Sequence, residues 1–200
     1  RRAQAVAWDS RVNRILVFGG ILDVEKAAND FWGFRRGIGW TQLTEDGAST
    51  SPSRRDQAAM DWDGPGLRLL LFGGRGEQNR ELNDLWEFGP SSIWQQLVAA
   101  DHSSAPPARA SHTASWGTEA GRPLVYGGAA GEQTLGDLWQ YSKTGGWKRL
   151  HETGAPGTPD ARFGHATAFD PKGKRLLVYG GCTDLECPTN EVWQCAPLRR

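Results

Sequence analysis

Residues 69–88 read LLLFGGRGEQNRELNDLWEF: an apolar run, a Gly-Gly pair, a polar loop, and a second short run built around Trp86. Nearly the same phrase occurs three more times. Gly-Gly pairs begin at Gly19, Gly73, Gly127 and Gly180, at spacings of 54, 54 and 53 residues. Trp32, Trp86, Trp139 and Trp193 follow them at 54, 53 and 54. Upstream, Trp8, Trp62, Trp116 and Phe169 keep the same step, as do Arg14, Arg68, Arg122 and Arg175 just before the apolar run. Markers held in register over four copies define an internal repeat, and a period of this size belongs to solenoids, arrays or propellers.

Each copy divides into four short strands. Strand A is a segment like RFGHATAF (162–169); a tight turn such as DPKGK leads to strand B, RLLVYGG (175–181). A longer polar loop precedes strand C, DLWEF (84–88) or DLWQY (137–141), and a short turn leads to strand D, WQQL (94–97) or WKRL (147–150). A Pro-rich loop such as SSAPPA (103–108) then returns to the next strand A. Strand B is apolar on consecutive residues (RILVF, RLLLF, RPLVY, RLLVY). A half-solvated strand would alternate, so this one is expected to be covered on both faces. A propeller does that, sandwiching each four-stranded blade between neighbours, with the Gly-Gly pair where backbones turn or pass closely. Residues 69–72 and 176–179 should therefore be buried and helix nearly absent.

Composition agrees. The chain has 200 residues, enough for one substantial core, with 26 Gly and 10 Trp, a profile of short strands and turns rather than helices. Lys+Arg and Asp+Glu balance at 23 each, which argues against nucleic acid as the main partner. Apolar runs of four to six residues are too short for a membrane-spanning helix. The chain opens on RRAQ and closes on PLRR, without a starting Met, and so reads as a cut piece.

These residues resemble the kelch-repeat family: Gly-Gly after an apolar strand, an aromatic pair such as Trp86 and Phe88, and a further Trp at Trp40, Trp94 and Trp147. Arg109 with His112, and Arg162 with His165, look like the family's repeat opening. The Asn-Asp-Leu-Trp run (83–86) looks most like long-repeat bacterial members, related to the galactose oxidase propeller. The resemblance covers essentially the whole chain and implies an all-β propeller, typically of six or seven blades. Four copies (1–54, 55–108, 109–161, 162–200) are fewer, and the period puts a fourth strand-D Trp just past Arg200. The expected architecture is a propeller segment of about four blades of four antiparallel strands, the last lacking its fourth strand. A self-contained four-bladed ring or a closed dimer stays open.

Strand directions place the D–A and B–C loops on one face. The B–C loops differ between copies (ILDVEKAAN, RGEQNRELN, AAGEQTLG, CTDLECPTN), and variable loops on a rigid scaffold are where binding resides. The expected function is a non-catalytic binding module presenting this face to a protein, peptide or glycan; the alternative is a structural part of a larger kelch-type enzyme whose active site lies elsewhere. Arg1, Arg55, Arg109 and Arg162 recur at the top of strand A, where guanidinium groups would grip a carboxylate unless they pair with loop acids such as Asp56 or Asp160. The binding set expected from this layout is Arg55, Arg109, Arg162, Arg75, Asn79, Glu132 and Gln133. Asp30, Asp84, Asp137 and Glu191 recur before strand C and are expected to pair with the strand-B arginines. His112 and His165 share a position filled by Gln4 and Ala58 elsewhere, which reads as a structural hydrogen bond; a second register would instead pair Gln57 with Gln4. Cys182 and Cys187 flank CTDLEC as a candidate disulfide, which would suit an exported protein, while Cys195 takes the core position of Phe34 and Phe88. The three tyrosines sit at core positions, and no Ser-His-Asp elbow, phosphate loop, metal set or cofactor motif stands out.

Overall fold

The computed structural model describes residues 1–23, 26–116 and 122–195. The chain forms four antiparallel sheets, one per repeat. Blade 1 holds β1 (Ala5–Asp9), β2 (Arg14–Asp23), β3 (Lys26–Arg35) and β4 (Gly39–Thr44), and blade 2 holds β5 (Ala59–Asp63), β6 (Arg68–Arg75), β7 (Glu81–Phe88) and β8 (Trp94–Val98). Blade 3 holds β9 (Thr113–Trp116), β10 (Pro123–Ala130), β11 (Gln133–Ser142) and β12 (Gly146–His151). Among the described residues blade 4 has three strands, β13 (Ala166–Asp170), β14 (Arg175–Tyr179) and β15 (Val192–Cys195). The first strands of successive blades (β1, β5, β9, β13) lie side by side, so the blades fan around a common axis as a β-propeller. The one helical element among the described residues is a single 3-10 turn, Glu77–Asn79.

The second strand of each blade follows the apolar pattern read from sequence. Leu69, Leu70, Leu71 and Phe72 are all buried, with odd and even positions serving different interfaces. Leu69 and Leu71 pack with Leu16, Phe18 and Phe31 of blade 1. Leu70 and Phe72 pack with Val125 and Tyr141 of blade 3. Leu124, Tyr126 and Leu138 of blade 3 meet Leu176, Val178 and Cys195 of blade 4 in the same way. Apolar residues on both faces are thus required wherever a blade has two neighbours. Blade 4 departs from the expectation for residues 176–179: Leu176 and Val178 are buried, whereas Leu177 is half-buried and Tyr179 is exposed. Their side faces away from blade 3.

The Gly-Gly pair has two separable jobs. Strand register slips at the first glycine in blades 1 to 3, between Phe18 and Gly20, Phe72 and Gly74, and Tyr126 and Gly128. A bulge there needs a left-handed residue, and Gly19, Gly73 and Gly127 have φ of 61°, 59° and 61°. The backbone of the next blade also passes directly over it: a Cβ on Gly19 would lie 2.6 Å from the Arg55 carbonyl oxygen, and one on Gly127 would lie 2.7 Å from that of Arg162. The second glycine makes room for strand A of its own blade, where a Cβ on Gly74 would meet the Asp56 carbonyl oxygen at 2.7 Å.

Candidate functional site

The recurrent arginines, carboxylates and tryptophans form one motif, repeated four times. In blade 2 the Arg55 guanidinium donates to both Asp84 carboxylate oxygens (2.6 and 2.8 Å) and to the Gly73 carbonyl (3.0 Å), while Trp86 Nε1 donates to the same carboxylate at 2.7 Å. Blade 3 repeats this with Arg109, Asp137, Gly127 and Trp139. Arg162, Glu191, Gly180 and Trp193 do so in blade 4, and Arg1, Asp30, Gly19 and Trp32 in blade 1. The sequence reading paired these carboxylates with the strand-B arginines, and the structure corrects that. Arg14, Arg68 and Arg175 instead bind Asp9, Asp63 and Asp170 through Nε, clamping the A–B turn at the opposite end of the blade. The correction is geometric: adjacent antiparallel strands place the start of strand C beside the Gly-Gly end of strand B, remote from the arginine that opens it.

Arg55, Arg109 and Arg162 are consequently among the largest fully buried side chains of the molecule. They lie beneath the loop face rather than on it, and their charge is matched by the carboxylates. Burial pushes the Asp137 carboxyl up, but the Arg109 guanidinium and the Trp139 indole outweigh it and hold Asp137 below the usual carboxylate range. A buried pair of this kind is costly to break, because the survivor is left charged and unsolvated.

The histidines are structural, as expected. His112 Nε2 lies 3.1 Å from the Phe72 carbonyl oxygen and His165 Nε2 lies 2.9 Å from Thr113 Oγ1. Desolvation holds their pKa values down, to about 3 for His112 and about 4 for His165. The competing register is excluded: Gln4, Ala58, His112 and His165 each lie against the second glycine of their blade. Among the described residues no three His, Cys, Asp or Glu side chains converge on a point that would hold a metal ion. Cys182 and Cys187 are joined as a disulfide, and Cys195 is a buried free thiol pushed up by desolvation.

The loop face carries a cleft of about 560 Å³ at the junction of blades 1 and 2. Its lining combines Ile21, Lys26 and Ala27 from the first B–C hairpin, Arg54 and Asp56 from the D–A loop, Arg75 to Asn79 from the second B–C loop, and Arg2. Arg75 and Asn79, two of the expected binding residues, are therefore brought together. Glu132 and Gln133 are exposed at the tip of the blade 3 hairpin, outside this lining. Arg54 grips Asp46 in a bidentate pair (3.0 and 2.8 Å) that lowers the Asp46 carboxyl, and Arg75 grips Asp56 (3.2 and 2.9 Å). Gln78 and Asn79 hold left-handed backbone conformations that set the loop's rim. Sequence reasoning missed Arg2, Lys26 and Arg54. The signal was present as the doublets Arg1-Arg2 and Arg54-Arg55, in each of which one arginine holds the carboxylate before strand C (Arg1 on Asp30, Arg55 on Asp84) and the other lines the cleft; Ala108 and Ala161 take Arg54's place in two other copies.

Comparison with known proteins agrees with the architecture. The chain is 29% identical over 145 residues to Adagio-like protein 3 of Oryza sativa subsp. japonica, covering 72% of this chain and 22% of that protein. It is 28% identical over 207 residues to human Host cell factor 1 (91% and 10%). It is also 28% identical over 193 residues to mouse Multiple epidermal growth factor-like domains protein 8 (90% and 6%). The chain thus spans about a fifth or less of the length of each of these relatives. Residues 2–199 match the KLHDC2/KLHL20/DRC7 Kelch-repeats domain, and with four kelch blades in register this chain belongs to that Kelch-repeat family.

Proposed function

We propose that the chain is a non-catalytic protein-binding module and that the blade 1–blade 2 cleft receives an acidic segment of a protein partner. The observation that carries this reading is the concentration of Arg2, Lys26, Arg54 and Arg75 around one concavity; among the described residues Asp46 and Asp56 pair with Arg54 and Arg75, which leaves Arg2 and Lys26 facing the acid Glu77. A carboxylate-rich segment there gains charge-assisted hydrogen bonds, each about 1.5–3 kcal/mol when well formed. The lining holds no Trp, Tyr or Phe on which a sugar ring would stack, which favours a peptide over a glycan. The recurring carboxylates before strand C are occupied by arginines, which supports a binding rather than a catalytic role.

Peptide-library selection against the purified chain tests this. Selected peptides should be enriched in Asp and Glu. The charge-reversed variant R2E/K26E, which leaves the Arg54–Asp46 and Arg75–Asp56 pairs intact, should lose about tenfold or more in affinity for them with an unchanged melting temperature. Selection of neutral or basic peptides, or affinity indifferent to the charge reversal, would overturn the reading.

A further inference from the structure

The blades sort charge as well as strands. Strand A runs away from the loop face and strand B returns to it, so the A–B and C–D turns of neighbouring blades emerge together on the opposite face. The whole chain balances 23 Lys and Arg against 23 Asp and Glu. The turn face does not. Among the described residues its acids are Asp9, Asp63, Glu87 and Asp170, and each is already held by a cation of the same face. Asp9 accepts from Arg14 at 2.8 Å and has Arg11 at 3.9 Å. Arg68 binds both Asp63 (3.0 Å) and Glu87 (2.9 Å), and Lys143 reaches across from blade 3 to Glu87 at 3.0 Å. Asp170 holds Arg175 at 2.9 Å.

Further cations stand on these turns without an acid of their own. Arg35 and Arg36 in the C–D turn of blade 1, and Lys172 in the A–B turn of blade 4, are exposed and have no ion-pair partner among the described residues. The turn face is therefore positive while the molecule as a whole is neutral, a separation that the sequence total conceals.

Large aliphatic side chains project from the same turns. Ile38 is 65% exposed, Ile93 66% and Leu67 41%. The turns that carry them are closed by hydrogen bonds. Ile38 N–H donates to the Arg35 carbonyl (3.1 Å), Ser92 N–H to the Gly89 carbonyl (3.0 Å) and Leu67 N–H to the Gly64 carbonyl (3.3 Å). None of the three side chains belongs to a core cluster between blades. They are held out into water on a rigid scaffold, beside the surplus positive charge.

We infer that the turn face docks on the surface of a bilayer rich in anionic lipids. Ile38, Leu67 and Ile93 enter the headgroup layer, and Arg35, Arg36 and Lys172 meet the lipid phosphates and carboxylates. Charge complementarity and the apolar tips point to the same occupant, because a bilayer offers a negative surface above an apolar interior. A nucleic acid would supply the charge, but single strands call for aromatic rings on which bases stack, and these tips are aliphatic. In this orientation the loop face points into solution, with the blade 1–blade 2 cleft open to a partner.

Flotation of the purified chain with lipid vesicles tests the inference. Binding is expected to vesicles of phosphatidylcholine with about 30% phosphatidylserine and not to phosphatidylcholine alone, and it should weaken as salt is raised. R36E/K172E reverses two exposed charges and I38S/I93S removes two exposed aliphatic tips. Neither should change the melting temperature, and each should weaken vesicle binding about tenfold or more. R2E/K26E makes an equal charge change on the loop face and should bind vesicles within about twofold of wild type. R36E/K172E in turn should keep its affinity for acidic peptides, so the two readings fail separately. No binding to anionic vesicles, equal binding to neutral ones, indifference to either turn-face variant, or an equal loss in R2E/K26E would overturn the inference. So would binding of duplex DNA as tight as that of vesicles and indifferent to I38S/I93S, which would make this face a site for polyanions in general.

Discussion

Arg109 shows how one residue serves two levels of the structure. Its backbone N–H and carbonyl stitch blade 3 to blade 2, while its guanidinium clamps Asp137 and the Gly127 carbonyl within blade 3. R109A leaves Asp137 charged in a dry setting and should cost about 3–5 kcal/mol, read by denaturant unfolding. A loss under about 1 kcal/mol would show that the pair is not a structural element. The buried histidines make a second prediction, for acid. Their folded pKa values, about 3 for His112 and about 4 for His165, lie below the ordinary 6.5. The unfolded chain therefore takes up protons first as pH falls. Stability is complete above about 6.5 and declines below it, by up to about 1.4 kcal/mol per pH unit for each histidine, until the folded values are reached. Asp137, held below its usual 3.8, adds its own loss only at lower pH. H112Q/H165Q introduces the residue that copy 1 carries as Gln4, and should flatten the slope between pH 6.5 and pH 4. A slope equal to wild type would assign the acid sensitivity to other groups.

Within an element, the Gly-Gly pair separates backbone conformation from crowding. Gly127 and Gly180 have nearly the same φ, 61° and 65°, so an alanine pays a similar left-handed penalty of about 1–2 kcal/mol at either. Only at Gly127 does its Cβ also collide with the next blade, 2.7 Å from the Arg162 carbonyl oxygen. G127A should thus destabilise by about 1 kcal/mol or more beyond G180A, measured by denaturant unfolding. Equal costs would mean that the neighbouring blade yields and that the pair exists for the bulge alone. The B–C loop of blade 4 offers a third case. The Cys182–Cys187 bond closes a short loop, so reducing it should lower stability by about 2 kcal/mol or less. It should leave acidic-peptide binding at the blade 1–blade 2 cleft unchanged, because that lining includes neither cysteine.

Across the whole molecule, protection should follow the number of neighbours. Blades 2 and 3 are packed on both faces, and blades 1 and 4 on one. Hydrogen exchange in dilute solution should be slowest in β6, β7, β10 and β11 and faster in β14 and β15, where Tyr179 and Val192 are open to water. Exchange in β14 as slow as in β10 would contradict this graded stability.

Much of this was legible in the chain itself. A period kept by Gly-Gly, Trp and Arg markers requires equal blades, and consecutive apolar residues in strand B require cover on both sides. Blade count, strand order, the three described strands of blade 4, the structural histidines and the buried Cys195 follow from those constraints. Repetition states which positions are equivalent; it is silent on where a long side chain ends. Arg54 and Arg55 are neighbours of one type in the D–A loop, yet one faces the cleft and pairs with Asp46 while the other is buried on Asp84 and the Gly73 carbonyl. Partner choice among the carboxylates, the assembly of Arg2, Lys26, Arg54 and Arg75 into one cleft, and the exposure of Tyr179 were decided by tertiary structure. Each depends on which backbone lies across the gap, and residues of identical sequence character are buried or solvated according to whether a neighbouring blade is there.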